Sequence, residues 1–114
     1  MSDCIFCKIV SGEIPSEIVF QDDVCLAFRD INPGAPTHVL IIPKEHIATL
    51  NDLTPQHESV VGHILLVAKK IAGQLGVDAS GYRLVANCNS DGGQEVFHIH
   101  FHLLGGRRMT WPPG

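Results

Sequence analysis

The chain has 114 residues, 45% apolar content and a formal net charge of −4, the profile of one domain, residues 1–114, with a core of its own. The negative balance, with no basic patch, excludes broad nucleic-acid binding, although a small phosphate ligand needs only local donors. No apolar run reaches membrane-spanning length and no secretory signal opens the chain, so a cytoplasmic location is expected, with Cys4, Cys7, Cys25 and Cys88 as thiols or metal ligands.

Residues 4–10 suit a short helix behind Asp3 as N-cap, stopped at Ser11-Gly12. Residues 17–21 and 24–29 alternate as two strands around the turn Gln21-Asp22-Asp23. Asp30 to Gly34 is a loop by its Asn-Pro-Gly content, and residues 37–42 form a central strand ended by Pro43. A long helix is expected from about Pro55 to Leu75, capped by Thr54 and stopped by Gly76. Its apolar stripe is Val60, Val61, Ile64, Leu65, Ala68, Ile71, Ala72 and Leu75; His57 and His63 on it read as surface or satisfied side chains. Residues 82–87 form a strand, 89–93 a tight flexible connection, and 98–104 a last strand. Cys25 and Cys88 fall in strand patterns and read as small core residues. The short turns favour an α+β fold: an antiparallel five-stranded sheet with one long and one short helix.

The chemistry concentrates in the last strand, His-Ile-His-Phe-His-Leu-Leu. Side chains alternate across a strand, so His98, His100 and His102 share one face and Ile99, Phe101 and Leu103 the other. Neighbouring histidines then lie about 6.6 Å apart, which suits one phosphate or one metal touched by more than one ring. Two chemistries fit: a zinc hydrolase using the three histidines, or attack of one imidazole on phosphorus while its neighbours orient it and protonate the leaving group. Gly92-Gly93 lets backbone N–H groups approach an anion and favours phosphate chemistry, although no nucleotide P-loop is present. Cys4-Ile5-Phe6-Cys7 is either half of a zinc site, with His46 and a triad histidine as candidate partners, or a pair of thiols on one helical face. Asp30, after a strand end, is either a turn carboxylate or an acceptor for a sugar diol. The terminal Trp111-Pro112-Pro113-Gly114 has no place in its own core, and a partner surface would use it.

His98-x-His100-x-His102-Leu103-Leu104 resembles the signature of the histidine-triad family. The resemblance runs through Phe6-Cys7-Lys8-Ile9, Glu13-Ile14-Pro15, Asp22-Asp23, Ala27-Phe28, Asp30-Ile31, Ala35-Pro36-Thr37-His38, Ile42-Pro43-Lys44, Gly81-Tyr82-Arg83, Asp91-Gly92-Gly93-Gln94 and Leu104-Gly105-Gly106-Arg107; the Trp-Pro-Pro-Gly end points to its nucleotide-binding branch. That resemblance implies a homodimer with a continuous ten-stranded sheet, no organic cofactor, and hydrolysis of purine nucleoside 5′-phosphoramidates and acyl-adenylates. By the same resemblance His100 is the nucleophile, the His98 carbonyl sets its tautomer, His102 contacts the phosphate and His38 continues the proton network. Asn87 and the Gly93 backbone would hold phosphate oxygens, and Asp30 the ribose hydroxyls. Ile5, Phe6, Ile9, Phe28, Ile31 and Leu40 would line the pocket for the base of an AMP-like nucleotide, and Trp111 would reach the neighbouring subunit's site.

Two positions depart from the branch pattern. Glu95, near the phosphate and leaving group, stands where Ser is frequent, and Cys7 where many members carry Gly. Members with Cys-x-x-Cys hold structural zinc through two cysteines, the histidine after Pro-Lys-x and the first triad histidine. Here those positions are Cys4, Cys7, His46 and His98, which would put zinc close to the nucleophile. A nucleotide-binding or scaffold module with negligible turnover is a third reading. Diadenosine polyphosphate hydrolysis fits less well, because Leu103-Leu104-Gly105 replaces the Gln of that branch.

Overall fold

The structure, a computed structural model, describes residues 3–114. Its five strands are β1 (Ile18–Gln21), β2 (Cys25–Arg29), β3 (Thr37–Pro43), β4 (Tyr82–Val85) and β5 (Phe101–Gly105). They form one antiparallel sheet in the order β1-β2-β3-β5-β4. The helices are α1 (Ile5–Ser11), α2 (Glu58–Gln74) and the single turn α3 (Asn89–Gly92). The α+β architecture is the one expected, with α3 where an open connection was expected. Among the described residues no helix is long and apolar enough to cross a membrane.

Central β3 explains the unbroken run Val39-Leu40-Ile41-Ile42. A strand covered on both faces needs apolar residues on both. Val39 and Ile41 pack toward α2 with Cys25, Ala27, Phe101 and Leu103. Leu40 and Ile42 face the other way and pack with Leu26 and Phe28 against Phe6 and Ile9 of α1. On α2 the buried positions are Ile64, Val67, Ala68, Ile71 and Ala72, a stripe with helical spacing. Leu65, expected in that stripe, is 46% exposed, and Val67 takes its place in the core. Cys25 is fully buried, and burial with the nearby Asp22 carboxylate pushes its thiol up to about 12. Cys88 lies outside the strands, at the N-cap of α3.

Four boundaries differ from expectation, each for a local reason. Cys4, not Asp3, caps α1: its backbone is extended and its sulfur accepts from the Cys7 N–H at 3.4 Å. Thr54 and Pro55 open a 3-10 turn, Pro55–His57, and α-helical bonding starts at Glu58. In that turn His57 Nδ1 accepts from the Thr54 N–H at 2.9 Å. Strand β4 ends at Val85, two residues early. The triad segment is not one strand over 98–104: β5 begins at Phe101, whose partner is Ile41. Beyond that pair β3 runs out at Pro43, which has no N–H to extend a ladder. The chain at 98–100 instead follows the loop after β3, where the Ile99 N–H donates to the Ile47 carbonyl at 2.7 Å.

Candidate active site

That departure from the strand separates the three histidines. His102 keeps strand geometry opposite Leu40, which itself pairs with Phe28, so the three share one face. His100 is nearly buried, and its ring packs at 5.0 Å from that of His102. His98 is fully buried and turns to His46, ring to ring at 5.0 Å. Phe6 of α1 packs edge-on against both His98 (6.0 Å) and His100 (5.1 Å). Phe101 and Leu103 are buried on the α2 side, as the alternation requires, and Ile99, outside the strand, is buried as well.

The hydrogen bonds assign a tautomer to each ring. A carbonyl only accepts, so His100 Nδ1 donates to the His98 carbonyl at 2.8 Å and leaves Nε2 with a lone pair. A backbone N–H only donates, so the Gly34 N–H at 2.9 Å makes His38 Nδ1 an acceptor and puts its proton on Nε2. That Nε2–H donates to His102 Nδ1 at 2.9 Å, with an Asp30 carboxylate oxygen 3.4 Å away. The proton of His102 is therefore on Nε2. His98 Nε2 donates to the Pro43 carbonyl at 2.8 Å, leaving its Nδ1 lone pair exposed to Cys4, Cys7 and His46. Burial favours the uncharged rings. It holds His38 below its ordinary range against the pull of Asp30. It holds His98 down in spite of the Pro43 bond. It takes His102 to about 4, with His100 and His38 adding to the effect.

A cavity of about 450 Å³ opens beside His100 and His102, a volume in the range of small-molecule sites. Ile5, Phe6, Ile9, Phe28, Ile31 and Leu40 all line it, as do Asp30, Asn87, Gly93 and Glu95. His38 lies behind His102 and does not line the cavity, and Trp111, 81% exposed, is no part of it. Gly93 is in the left-handed region at φ 79°, but its N–H donates to the Ser90 carbonyl at 3.0 Å inside the turn. The expected amide donor is thus engaged. The Gln94 N–H is also engaged, with the Asn89 carbonyl at 3.0 Å, whereas the next amide, that of Glu95, makes no backbone hydrogen bond among the described residues. Sequence reasoning missed three residues here. Gln94 is buried and braces the loop: its Nε2 donates to Ala48 (2.8 Å) and Val96 (3.0 Å) carbonyls, and its Oε1 accepts from the Asn89 N–H. Ser16 lines the cavity with its hydroxyl buried and without a partner among the described residues. Arg29 lines it too, paired to Glu17 at 3.1 Å. Only the position of Gln94 beside Gly-Gly hinted at its role.

Cys4, Cys7, His46 and His98 converge, all ligand atoms within 4.8 Å of one another. Zn–N bonds of about 2.0–2.1 Å and Zn–S bonds of about 2.3 Å give a tetrahedron with edges of about 3.3–3.8 Å. The distances are 3.4 Å for Cys4 Sγ to His98 Nδ1, 3.3 Å for Cys7 Sγ to His46 Nδ1, 3.5 Å for Cys7 Sγ to His98 Nδ1, and 3.2 Å for His46 Nδ1 to His98 Nδ1. The donor chemistry fits zinc, and the Pro43 carbonyl on the far nitrogen of His98 is the outer partner that a ligating imidazole usually has. His57 and His63 are satisfied elsewhere: His57 lies 3.3 Å from Glu45 and His63 2.6 Å from Asp22.

An α+β sheet that carries a buried histidine network at the wall of a nucleotide-sized cavity defines a small class of proteins. The HIT domain family matches residues 11–109, and the chain belongs to this histidine-triad family. It is 58% identical to the purine nucleoside phosphoramidase of Escherichia coli K12 over 107 residues, 94% of this chain and 90% of that protein. It is 54% identical over 112 residues to an uncharacterised HIT-like protein of Synechococcus elongatus, covering 98% and 97% of the two chains. The crystal structure of a HIT family hydrolase from Legionella pneumophila superimposes with a TM-score of 0.97 at 62% identity, over 98% of this chain and 100% of that one.

Proposed function

We propose that this protein is a nucleoside phosphoramidase that hydrolyses purine nucleoside 5′-phosphoramidates and acyl-adenylates through a nucleotidyl-histidine on His100. The observation that carries this reading is the His100 ring: its Nδ1 proton is held by the His98 carbonyl, so the Nε2 lone pair is the free one at a nucleotide-sized cavity. Nε2 attacks phosphorus, the P–N bond breaks, and the amine departs with a proton from solvent; a carboxylate leaving group needs none. The positive charge gained by the ring strengthens its bond to the His98 carbonyl. His102 Nε2–H donates to a phosphate oxygen, Asn87 and the Glu95 amide hold others, and Asp30 takes the ribose hydroxyls. Water then attacks phosphorus, releasing the nucleoside 5′-monophosphate and the free ring.

The zinc-hydrolase reading has less support. Among the described residues no candidate ligand cluster contains all three triad histidines: His98 belongs to the cysteine set and His102 to one with Asp30 and His38. We assign zinc the structural place of Cys4, Cys7, His46 and His98, where it would tie α1 to the loops around β5. The edge position of β4, which among the described residues pairs with β5 alone, supports a homodimer with a ten-stranded sheet. Exposed Leu66, Phe97 and Trp111 are consistent with that assembly. Cysteines that form no disulfide among the described residues suit a cytoplasmic location. Reacting the protein with an adenosine 5′-phosphoramidate, quenching and mapping the adduct tests the mechanism. Adenylation at His100, lost in His100→Ala together with turnover, is expected; a fully active His100→Ala protein refutes it. Tight AMP binding without turnover of any phosphoramidate would favour a binding module instead.

A further inference from the structure

The geometry points to Cys4, Cys7 and His46 as positioning residues for the nucleophile, acting through His98. This rests on the reading of His100 as nucleophile and of the four-residue set as a zinc site. His98 is the one residue common to both, and each of its polar groups has a single task. Its Nδ1 completes the ligand tetrahedron, 3.2–3.5 Å from the other donors. Its Nε2 is tied to the Pro43 carbonyl at 2.8 Å. Its own carbonyl accepts from His100 Nδ1 at 2.8 Å and so decides which nitrogen of the nucleophile carries the lone pair.

The backbone around His98 does not hold that carbonyl by itself. Residues 98–100 lie outside the β-ladder, which starts at Phe101, and Ile99 contributes one bond to the loop at Ile47. The side chain of His98 therefore orients the peptide that orients His100. With the ligand set closed, the ring is fixed at two opposite nitrogens. With it open, the Pro43 bond and the edge-on packing of Phe6 remain, and the carbonyl can turn away. Once it turns, the proton of His100 is free to sit on either nitrogen, and the lone pair is no longer reserved for phosphorus. Cys4, Cys7, His46 and His98 do not themselves line the nucleotide pocket, so the chemical step suffers more than binding.

His46 is the suitable handle, being exposed and, among the described residues, hydrogen-bonded to members of this set. His46→Ala should bind less zinc, lose about 10- to 100-fold in kcat, the range seen when groups that orient a site are removed, and change the KM for the nucleotide by less than kcat. At constant pH, the 15N resonances of His100 should change from a single Nδ1–H form to an average of both tautomers. Mild chelation of the wild-type protein should produce the same change. His46→Cys, which retains a Cys3His ligand set, should restore zinc, kcat and the single tautomer. Ile71→Ala, in the core beyond the sheet, should lower stability while leaving the His100 resonances alone. If His46→Ala loses zinc but keeps the tautomer and kcat, the positioning role is overturned and the phosphoramidase reading stands. A reduced wild-type protein that binds no zinc overturns the positioning role as well. Adduct mapping that misses His100 overturns the mechanism and this inference together.

Discussion

His102 offers a solution test of the buried, uncharged histidine network. Burial, reinforced by the His100 and His38 rings, takes its imidazole from 6.5 to about 4. The unfolded chain takes up this proton as pH falls through 6.5, whereas the folded protein takes it up only near 4. Between those values the unfolded state binds more protons, so stability rises with pH. The contribution of His102 is present above pH 6.5 and is lost as pH falls toward 4. Linkage over that window gives a loss of about 2 kcal/mol between pH 7 and pH 5, and about 3 kcal/mol by pH 4. The perturbation is His102→Gln, whose side-chain carbonyl can still accept from His38 Nε2–H but does not titrate. Urea unfolding of both proteins at pH 7 and pH 5 yields the four free energies needed. His98 and the cysteine set belong to a cluster separate from His102, so their own pH dependence cancels, and the Gln carbonyl keeps the His38 bond in place. The wild-type protein should lose about 2 kcal/mol more than the variant. Equal losses would refute the assignment of a neutral, desolvated ring at this position.

Gly106→Ala should destabilise the protein by about 2–3 kcal/mol in the same assay, because φ is +90° and a Cβ would lie 2.8 Å from the Pro36 Cβ. Ser16→Ala should raise the stability of the free protein by about 1 kcal/mol, measured by thermal unfolding, since it removes a buried hydroxyl without a partner. Glu95→Gln should lower kcat/KM about fivefold for phosphoramidates whose leaving group carries an ammonium, and raise it for neutral amines. The basis is one charge at a solvated site, about 1 kcal/mol, on a carboxylate that lines the cavity without an ion-pair partner among the described residues. Steady-state kinetics on two such substrates check this.

The elements were legible because their causes are local. Asp22 between two alternating runs produced the expected β-turn, with its carboxylate accepting from the Val24 and Cys25 N–H groups at 2.9 Å. The α2 stripe was legible from its period, apart from the exchange of Leu65 for Val67, which depends on how the helix is rotated against the sheet. Residues of the cavity were legible by resemblance, since Ile5, Phe28 and Asn87 lie far apart in sequence and nothing local links them. Gln94 and Ser16 escaped notice because their significance lies in which carbonyls surround them, or fail to.

The histidine row shows the same division. Alternation within β5 determined that His102 faces away from Phe101 and Leu103, which pack toward α2, because a backbone with period 2 admits no other arrangement. The four candidate ligands Cys4, Cys7, His46 and His98 were legible through the resemblance, two cysteines and two histidines. Only the tertiary structure decided that the row divides. Pro43 ends the ladder that would have kept His98 and His100 in the strand, and the carbonyl it presents takes the His98 ring. The Gly34 amide, brought beside His38, then decides the direction in which protons are donated to His102. Tautomers are set by partners distant in sequence, so the chain specifies which histidines are present, and the fold specifies which nitrogen of each is free to react.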